Sequence, residues 1–271
     1  SPIPKDPKVE ELAHQLGERH HAKSGVYMVS EQGFEEAMKM YERLPKVREI
    51  SSGVEITEED VKKYVNEGQF GLWDETGLCL NAAIKFGAKS NAGYGQSVGR
   101  MINDGGICDI DLHQSYKSIS VLGNAYKLNI PMSVGVTIGQ NIHHTHPRFS
   151  GETIGKVGDI DFLKFVDTIY NLENGTYLSV GSAILSPQIF EKALSMAKNV
   201  ARQENKTLED YNIFVNDIQE GKWDWSKGEP PKDNPAYYLR FMKTFSRMGG
   251  TSKYIQMDNR KFLHNLYHML K

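Results

Sequence analysis

The sequence lacks both a strong net charge and any long apolar run. Its 32 Lys and Arg residues are balanced by 34 Asp and Glu residues, which gives a net charge of −2. No broad positive field therefore favours nucleic acid or an anionic membrane. No segment approaches the roughly 20 consecutive apolar residues of a membrane span. The stretch from Ser1 to His21 has no apolar signal region, so we expect a soluble, cytoplasmic protein.

Cysteine is also scarce. Cys79 and Cys108 are the only two cysteines among 271 residues. A chain of this length can bury a core without covalent cross-links, and such sparse use of cysteine suits a reducing compartment. We expect both to be free thiols.

Short apolar runs alternate along the chain with segments of helical spacing. Such alternation is typical of an α/β fold with a Rossmann-like parallel sheet and helices on both faces. The predicted strands are 25–29, 47–50, 132–138, 175–180 and 211–215, and the main predicted helices are 34–44, from 57, 76–100, 118–128, 161–172 and 187–202. We predict an N-terminal arm over residues 1–22 and a single NAD-binding α/β domain over residues 23–271.

Small and hydroxyl residues follow the predicted strands directly. They let a ligand approach the backbone, and each following helix offers unpaired amide donors to an anionic group. Parallel sheets bind ligands beyond the carboxyl ends of their strands. Ordinary strand-to-helix turns remain the alternative interpretation. These positions include Ser51-Ser52-Gly53, Gly139, Gly181-Ser182-Ala183 and Asn216-Asp217.

A histidine-rich loop follows the strand predicted at 132–138. Three of the nine histidines, His143, His144 and His146, fall within four positions. Neutral imidazoles could act as acid and base or bind zinc. No Cys or carboxylate cluster of suitable spacing completes a metal site, so we predict no metal and take His144 and His146 as candidate catalytic residues. A merely solvated histidine cluster is the alternative.

Two further segments carry candidate substrate chemistry. Trp223 and Trp225 flank a carboxylate in a Gly- and Pro-rich loop, which suits an amine or cationic substrate, although the rings could instead pin the loop to the protein. Lys243 lies in the aromatic and apolar run 237–243, and such a setting could lower the pKa of its amine enough for imine chemistry.

Several of these segments, in this order, resemble deoxyhypusine synthase across most of the chain. The resemblance is carried by five segments and by the position of Lys243. The segments are Ser51-Ser52-Gly53 with Glu58-Glu59-Asp60, Ser120 to Pro131, Val180 to Ile184, Phe214 to Asp217, and Tyr254 to Asp258. The resemblance implies a deoxyhypusine-synthase-like NAD-binding fold and a homotetramer.

The same resemblance implies specific roles for residues. Lys243 falls where the family keeps the lysine that forms an imine with an aminobutyl group, and Phe241 takes the place of a neighbouring tryptophan. We take Phe241, with Trp223 and Trp225, as candidate substrate-binding residues. It implies an NAD-dependent transferase acting on an amine or polyamine. The implied NAD-binding residues are Ser51, Ser52, Gly53, Glu59, Gly181, Ser182, Asn216 and Asp258.

The sequence departs from deoxyhypusine synthase at two places. Leu185-Ser186-Pro187 stands where the family has a Lys-His-His run, and Ile138-Gly139-Gln140 replaces its Thr-Asp-Gly. The Gly139 to Pro147 loop is instead similar to that of a divergent bacterial branch of the superfamily. Two other functions therefore stay open: a hydrolase or lyase that uses the histidine loop, and a nucleotide-binding protein without catalysis.

Overall fold

The computed structural model describes residues 57–69, 74–108 and 117–269. The predicted arm over residues 1–22, the strands predicted at 25–29 and 47–50, and the candidate residues Ser51, Ser52 and Gly53 lie outside these ranges.

The described residues form eight α-helices and three β-strands. None of these helices combines the length and the apolar content that a membrane-spanning segment needs. The helices are α1 (Glu58–Asn66), α2 (Asp74–Ser90), α3 (Tyr94–Asp104), α4 (Val121–Lys127), α5 (Gly151–Tyr170), α6 (Leu185–Gln203), α7 (Arg240–Ser246) and α8 (Asn259–Met269), and the strands are β1 (Gly175–Val180), β2 (Tyr211–Asp217) and β3 (Thr251–Gln256).

The three strands form one parallel sheet in the order β1-β2-β3. Gly175 pairs with Tyr211, and Asn212 pairs with Thr251, so all three strands end at the same edge. Helix α6 connects β1 to β2, and α7 precedes β3. The predicted mixed α/β class and the strands at 175–180 and 211–215 are confirmed.

One face of the sheet forms the main apolar core. Tyr211, Ile213 and Val215 alternate along β2 and are almost completely buried, as expected for side chains that point to one face of a strand. They pack with Phe190 of α6 and Phe245 of α7, which are also fully buried. Burial of each large apolar side chain contributes about 1.5–3 kcal/mol.

The opposite face of the sheet packs against the C-terminal helix. Leu178, Phe214 and Ile255 come from the three strands and share an apolar groove with Phe262 of α8. Helices therefore lie on both faces of this sheet, as predicted.

A buried carboxylate joins the helices before the sheet. Asp161 on α5 is 0% exposed, and its Oδ2 atom accepts hydrogen bonds from the amides of Gly95 and Val134, each at 2.9 Å. A Cβ atom at Gly93 would lie 1.7 Å from Oδ1 of Asp161, so only glycine fits there. Burial raises the pKa of Asp161 despite these hydrogen bonds.

The segment predicted as a strand over residues 132–138 does not join the sheet. It is not assigned to any strand. A Cβ atom at Gly158 would lie 2.3 Å from the side chain of Val136, so this segment packs closely on α5. Helix α5 begins at Gly151, ten residues before the predicted start at 161, because the side chain of Ser150 caps it by accepting a hydrogen bond from the amide of Thr153.

The two cysteines are bonded to each other, so the prediction of free thiols is wrong. Cys79 on α2 and Cys108 have Cα atoms 5.2 Å apart and form a disulfide. Cys79 is 1% exposed within the core cluster of α2, α3 and α5. Disulfides persist mainly in oxidising compartments. Cytoplasmic localisation, which rested partly on free thiols, stays a prediction.

Reduction of this disulfide should destabilise the fold. The bond joins residues 29 positions apart. Cross-linking a loop of that length lowers the conformational entropy of the unfolded chain, which raises the free energy of unfolding by about 3 kcal/mol. We expect urea unfolding with reductant to give a free energy of unfolding lower by that amount. A Cys79→Ala/Cys108→Ala variant is the control and should be insensitive to reductant. Equal stability of the wild type with and without reductant would show that the cross-link contributes nothing.

Candidate functional site

The carboxyl edge of the sheet brings together the ends of β1 and β2 and the start of α8. Gly181 follows β1 with a φ of +64°, a conformation that favours glycine. Its amide donates to the carbonyl oxygen of Asn216 at 3.0 Å. A Cβ atom at Gly181 would lie 2.2 Å from Nδ2 of Asn259. Gly181 therefore bonds to the backbone of Asn216 and lies against the side chain of Asn259, with which a larger residue would collide.

Two amide oxygens at this edge are buried without a partner. Asn216 is 1% exposed, and its Nδ2 atom donates to the carbonyl oxygens of Ile255 at 3.1 Å and Met257 at 2.9 Å. Within the described residues, the Oδ1 atoms of Asn216 and Asn259 have no hydrogen-bond partner. A buried polar atom that lacks a partner costs about 1–3 kcal/mol. These two oxygens are thus buried acceptors at this edge that the described residues leave unsatisfied.

The other predicted cofactor residues at this edge cap the following helices. Ser182 Oγ accepts from the amide of Ser186 at 3.0 Å. Oδ1 of Asp258 accepts from the amides of Arg260 at 3.0 Å and Lys261 at 3.3 Å, at the start of α8. The bond from the Lys261 amide, followed by that from the Arg260 side chain, lowers the pKa of Asp258.

The start of α6 has few free amides for a phosphate. The amide of Ser186 is bonded to Ser182, and Pro187 has no N–H. Ile184, which precedes the helix, makes no side-chain capping bond. The edge is therefore better suited to hydroxyl and amino donors of a ligand than to its phosphates.

Glu59 lies apart from this edge. It is exposed in the first turn of α1, where Thr57 and Asp60 form a capping box. Within the described ranges, no hydrogen bond or ion pair connects Glu59 to the strand ends. Its role in cofactor binding stays a prediction.

Both predicted catalytic histidines use their two ring nitrogens in hydrogen bonds, His144 within the loop and His146 partly to α2. Nδ1 of His144 donates to the carbonyl oxygen of Asn141 at 2.8 Å, and its Nε2 accepts from the amide of Gly139 at 3.1 Å. His146 is 2% exposed; its Nε2 donates to Asp74, and its Nδ1 accepts from the amide of Arg148 at 3.1 Å. A proton-shuttle role would require the loss of one of these bonds.

The buried histidine of this loop is His143, which the sequence did not single out from its neighbours. It is 7% exposed, and its Nε2 atom has no hydrogen-bond partner among the residues that the structure describes. Burial, followed by repulsion from His144, lowers its pKa. Its ring lies 6.0 Å from that of Tyr94 and 6.3 Å from that of Phe149. In the part of the chain that is described, no group of three His, Cys, Asp or Glu residues could hold a metal ion.

The predicted substrate aromatics are part of the protein core or its loops. Trp225 is 5% exposed and Phe241 is 4% exposed, and both belong to the core on the α6 and α7 side of the sheet. Trp223 is half-buried, and its indole donates to the carbonyl oxygen of Gly228 at 2.8 Å. These contacts favour the alternative in which the tryptophans pin the loop, while their substrate role stays a prediction.

Lys243 is an ion-paired lysine on α7. Its Nζ atom lies 2.8 Å from Oε1 of Glu229 and 3.5 Å from the centre of the Tyr237 ring. The hydrogen bond to Glu229 is the main reason that the pKa of Lys243 is raised. The expectation that its surroundings lower this pKa is therefore wrong, because sequence spacing did not reveal the carboxylate.

Comparison of the chain with protein-family models, with curated proteins and with solved structures found no match. The resemblance to deoxyhypusine synthase therefore stays a prediction.

The buried imidazole of His143 should make stability fall in mild acid. As the pH drops below about 6.5, unfolded histidine gains a proton, but folded His143 resists protonation because its pKa is lowered. The stability that the neutral imidazole of His143 contributes is thus present above about pH 6.5 and is lost as the pH falls below it. When urea unfolding is measured at pH 7 and at pH 5, we expect the free energy of unfolding to fall less for His143→Phe than for the wild type. His268→Phe, at an exposed position, is the control, and an unchanged loss in His143→Phe would contradict this assignment.

Removal of the carboxylate beside Lys243 should make its amine more reactive. Glu229→Gln keeps an oxygen acceptor but removes the negative charge that raises the pKa of Lys243. Competitive acetylation, followed by mass spectrometry of the peptide, should show the reactivity of Lys243 shifted to lower pH. Glu220→Gln, an exposed change in the same loop, should leave the profile unchanged. Identical profiles for Glu229→Gln and the wild type would show that the ion pair does not control this amine.

Proposed function

We propose that this chain binds a nucleotide cofactor, with NAD as the leading candidate, at the carboxyl edge of the β1-β2-β3 sheet. The observation that carries the proposal is the pair of buried amide oxygens of Asn216 and Asn259, which have no partner among the described residues. The amide of Gly181 donates to the backbone carbonyl oxygen of Asn216, and Gly181 lies against the side chain of Asn259. Both acceptors lie where ligands of parallel sheets bind. Ribose hydroxyls and the amino groups of the base and carboxamide are donors of the kind that these oxygens lack.

The residues at the edge fit the sugar and base parts of such a cofactor. Gly181, without a side chain, would allow the ligand to approach the backbone. Asp258 uses Oδ1 for its two backbone bonds, and Oδ2 takes no hydrogen bond from the described residues, so Oδ2 would accept from a ribose hydroxyl. When bound, NAD supplies hydride-transfer chemistry.

Aminoalkyl transfer through Lys243, as the resemblance to deoxyhypusine synthase implies, is a narrower proposal. It requires that the amine of Lys243 lose its proton, because only an unprotonated amine forms an imine. The carboxylate of Glu229, 2.8 Å from Nζ, is the group that would accept the proton. The amine substrate, the homotetramer and the cytoplasmic location belong to this narrower proposal. Nucleotide binding without catalysis would share the site but use no lysine.

Calorimetric titration with NAD tests the cofactor site. Asn259→Ala removes one unpartnered oxygen at the first position of α8, where alanine favours the helix. Loss of one hydrogen bond should weaken NAD binding by about fivefold. Asn199→Ala is the matched control, because Asn199 is exposed near the C-terminal end of α6, whereas β1 leads into the N-terminal end of this helix. The affinity of Asn199→Ala for NAD should equal that of the wild type.

Two outcomes would contradict the proposal. One is that the wild type shows no heat of binding with NAD, and the other is that Asn259→Ala and the wild type bind NAD equally well. Binding of NAD without borohydride trapping of a carbonyl compound on Lys243 would support the cofactor site and refute the lysine-dependent transfer.

A further inference from the structure

A cavity of about 490 Å³ lies beside β1, away from the two asparagines of the proposed cofactor site. Its walls come from the extended segment 133–138, from α5, from β1 and from the first turns of α6. Val134, Val136, Phe162, Phe165 and Ile189 supply apolar surface. This volume falls within the roughly 300–1,000 Å³ of small-molecule sites.

Three hydroxyl groups form a short chain at this cavity. Ser179 Oγ donates to Ser186 Oγ at 2.8 Å, and the hydroxyl of Tyr177 lies 2.7 Å from the same Ser186 oxygen. Tyr177 and Ser186 line the cavity, whereas Ser179 is 2% exposed. The ring of Tyr177 stacks on that of Phe190 with a centroid distance of 4.2 Å, which holds its hydroxyl in place.

One of the three hydroxyl hydrogens has no acceptor among the described residues. Three hydroxyls carry three hydrogens, and the two mutual bonds use two of them. If Tyr177 donates to Ser186, the hydrogen of Ser186 is left over; if Ser186 donates to Tyr177, that of Tyr177 is left over. In both arrangements the free donor belongs to a residue that lines the cavity.

The charges around the cavity restrict the group that this donor can meet. Asp159 and Asp161 line it, and no Lys, Arg or His is among its described lining residues. A carboxylate or phosphate would be repelled and would find no cation. Burial also raises the pKa of the Tyr177 phenol, so this residue stays an uncharged donor.

We propose that this cavity binds an uncharged, largely apolar carbonyl compound, whose carbonyl oxygen accepts the free hydroxyl hydrogen of the Tyr177–Ser186 pair. The apolar body of the ligand lies between the 133–138 segment and α5. This assignment does not depend on nucleotide binding at the carboxyl edge.

Calorimetric titration with two matched ligands tests the assignment. The ketone 2-acetylnaphthalene and the hydrocarbon 2-ethylnaphthalene have nearly the same shape but differ in the carbonyl oxygen. The wild type should bind the ketone about fivefold more tightly, the value of one hydrogen bond. The Tyr177→Phe/Ser186→Ala variant should lose the preference for the ketone, because the carbonyl oxygen is then buried without a donor, while its affinity for the hydrocarbon stays unchanged. Tyr170→Phe changes a tyrosine whose hydroxyl bonds are exposed and should keep the preference.

A second variant keeps the test valid if the double variant does not fold. Gly155 on α5 lines the cavity, and a Cβ atom there would meet nothing within 4 Å. Gly155→Leu favours the helix, and its side chain should obstruct the cavity and weaken binding of both ligands. Equal binding of ketone and hydrocarbon by the wild type would overturn the proposal. So would a preference that survives in the double variant, or ketone binding that Gly155→Leu leaves unchanged.

Discussion

The buried carboxylate of Asp161 is the contact on which the helical part of this structure depends. One oxygen accepts the amides of Gly95 and Val134, which lie 66 and 27 residues away in the sequence. A hydrogen bond contributes about 0.5–1.5 kcal/mol to stability, and about 1–3 kcal/mol is lost when a buried amide is left without a partner. Asp161 thereby holds α3 and the extended 133–138 segment against α5. That segment and Asp161 itself both line the cavity beside β1.

The sheet has a different organisation at its carboxyl edge, where hydrogen bonding is incomplete. The amide nitrogen of Asn216 donates to the carbonyl oxygens of Ile255 in β3 and Met257 just after it, but its own oxygen finds no donor among the described residues. The oxygen of Asn259 is in the same situation beside Gly181. Buried groups in folded proteins are nearly always paired, and unpaired ones tend to occur where a ligand or water completes the set. The proposed cofactor site follows from that deficit.

The sequence was sufficient for the elements but not for the partners of individual side chains. β1 and β2 were predictable because short apolar runs between turn residues are typical of buried parallel strands. The run 132–138 gives the same pattern, yet it packs half-buried against α5 and does not join the sheet, and periodicity does not distinguish these cases. Cys79 pairs with Cys108 only because α2 and the end of α3 meet in the fold. The raised pKa of Lys243 likewise depends on a carboxylate 14 residues earlier, Glu229.

Nuclear magnetic resonance of the ¹⁵N-labelled protein, titrated with NAD, tests the central claim most directly. The account predicts that the side-chain amide signals of Asn216 and Asn259 and the backbone amide signal of Gly181 shift in a saturable manner. The amide signal of the exposed Asn199 on α6 should stay in place. Saturating NAD that leaves all three signals unchanged, or that shifts only signals remote from the strand ends, would contradict a cofactor site at this edge.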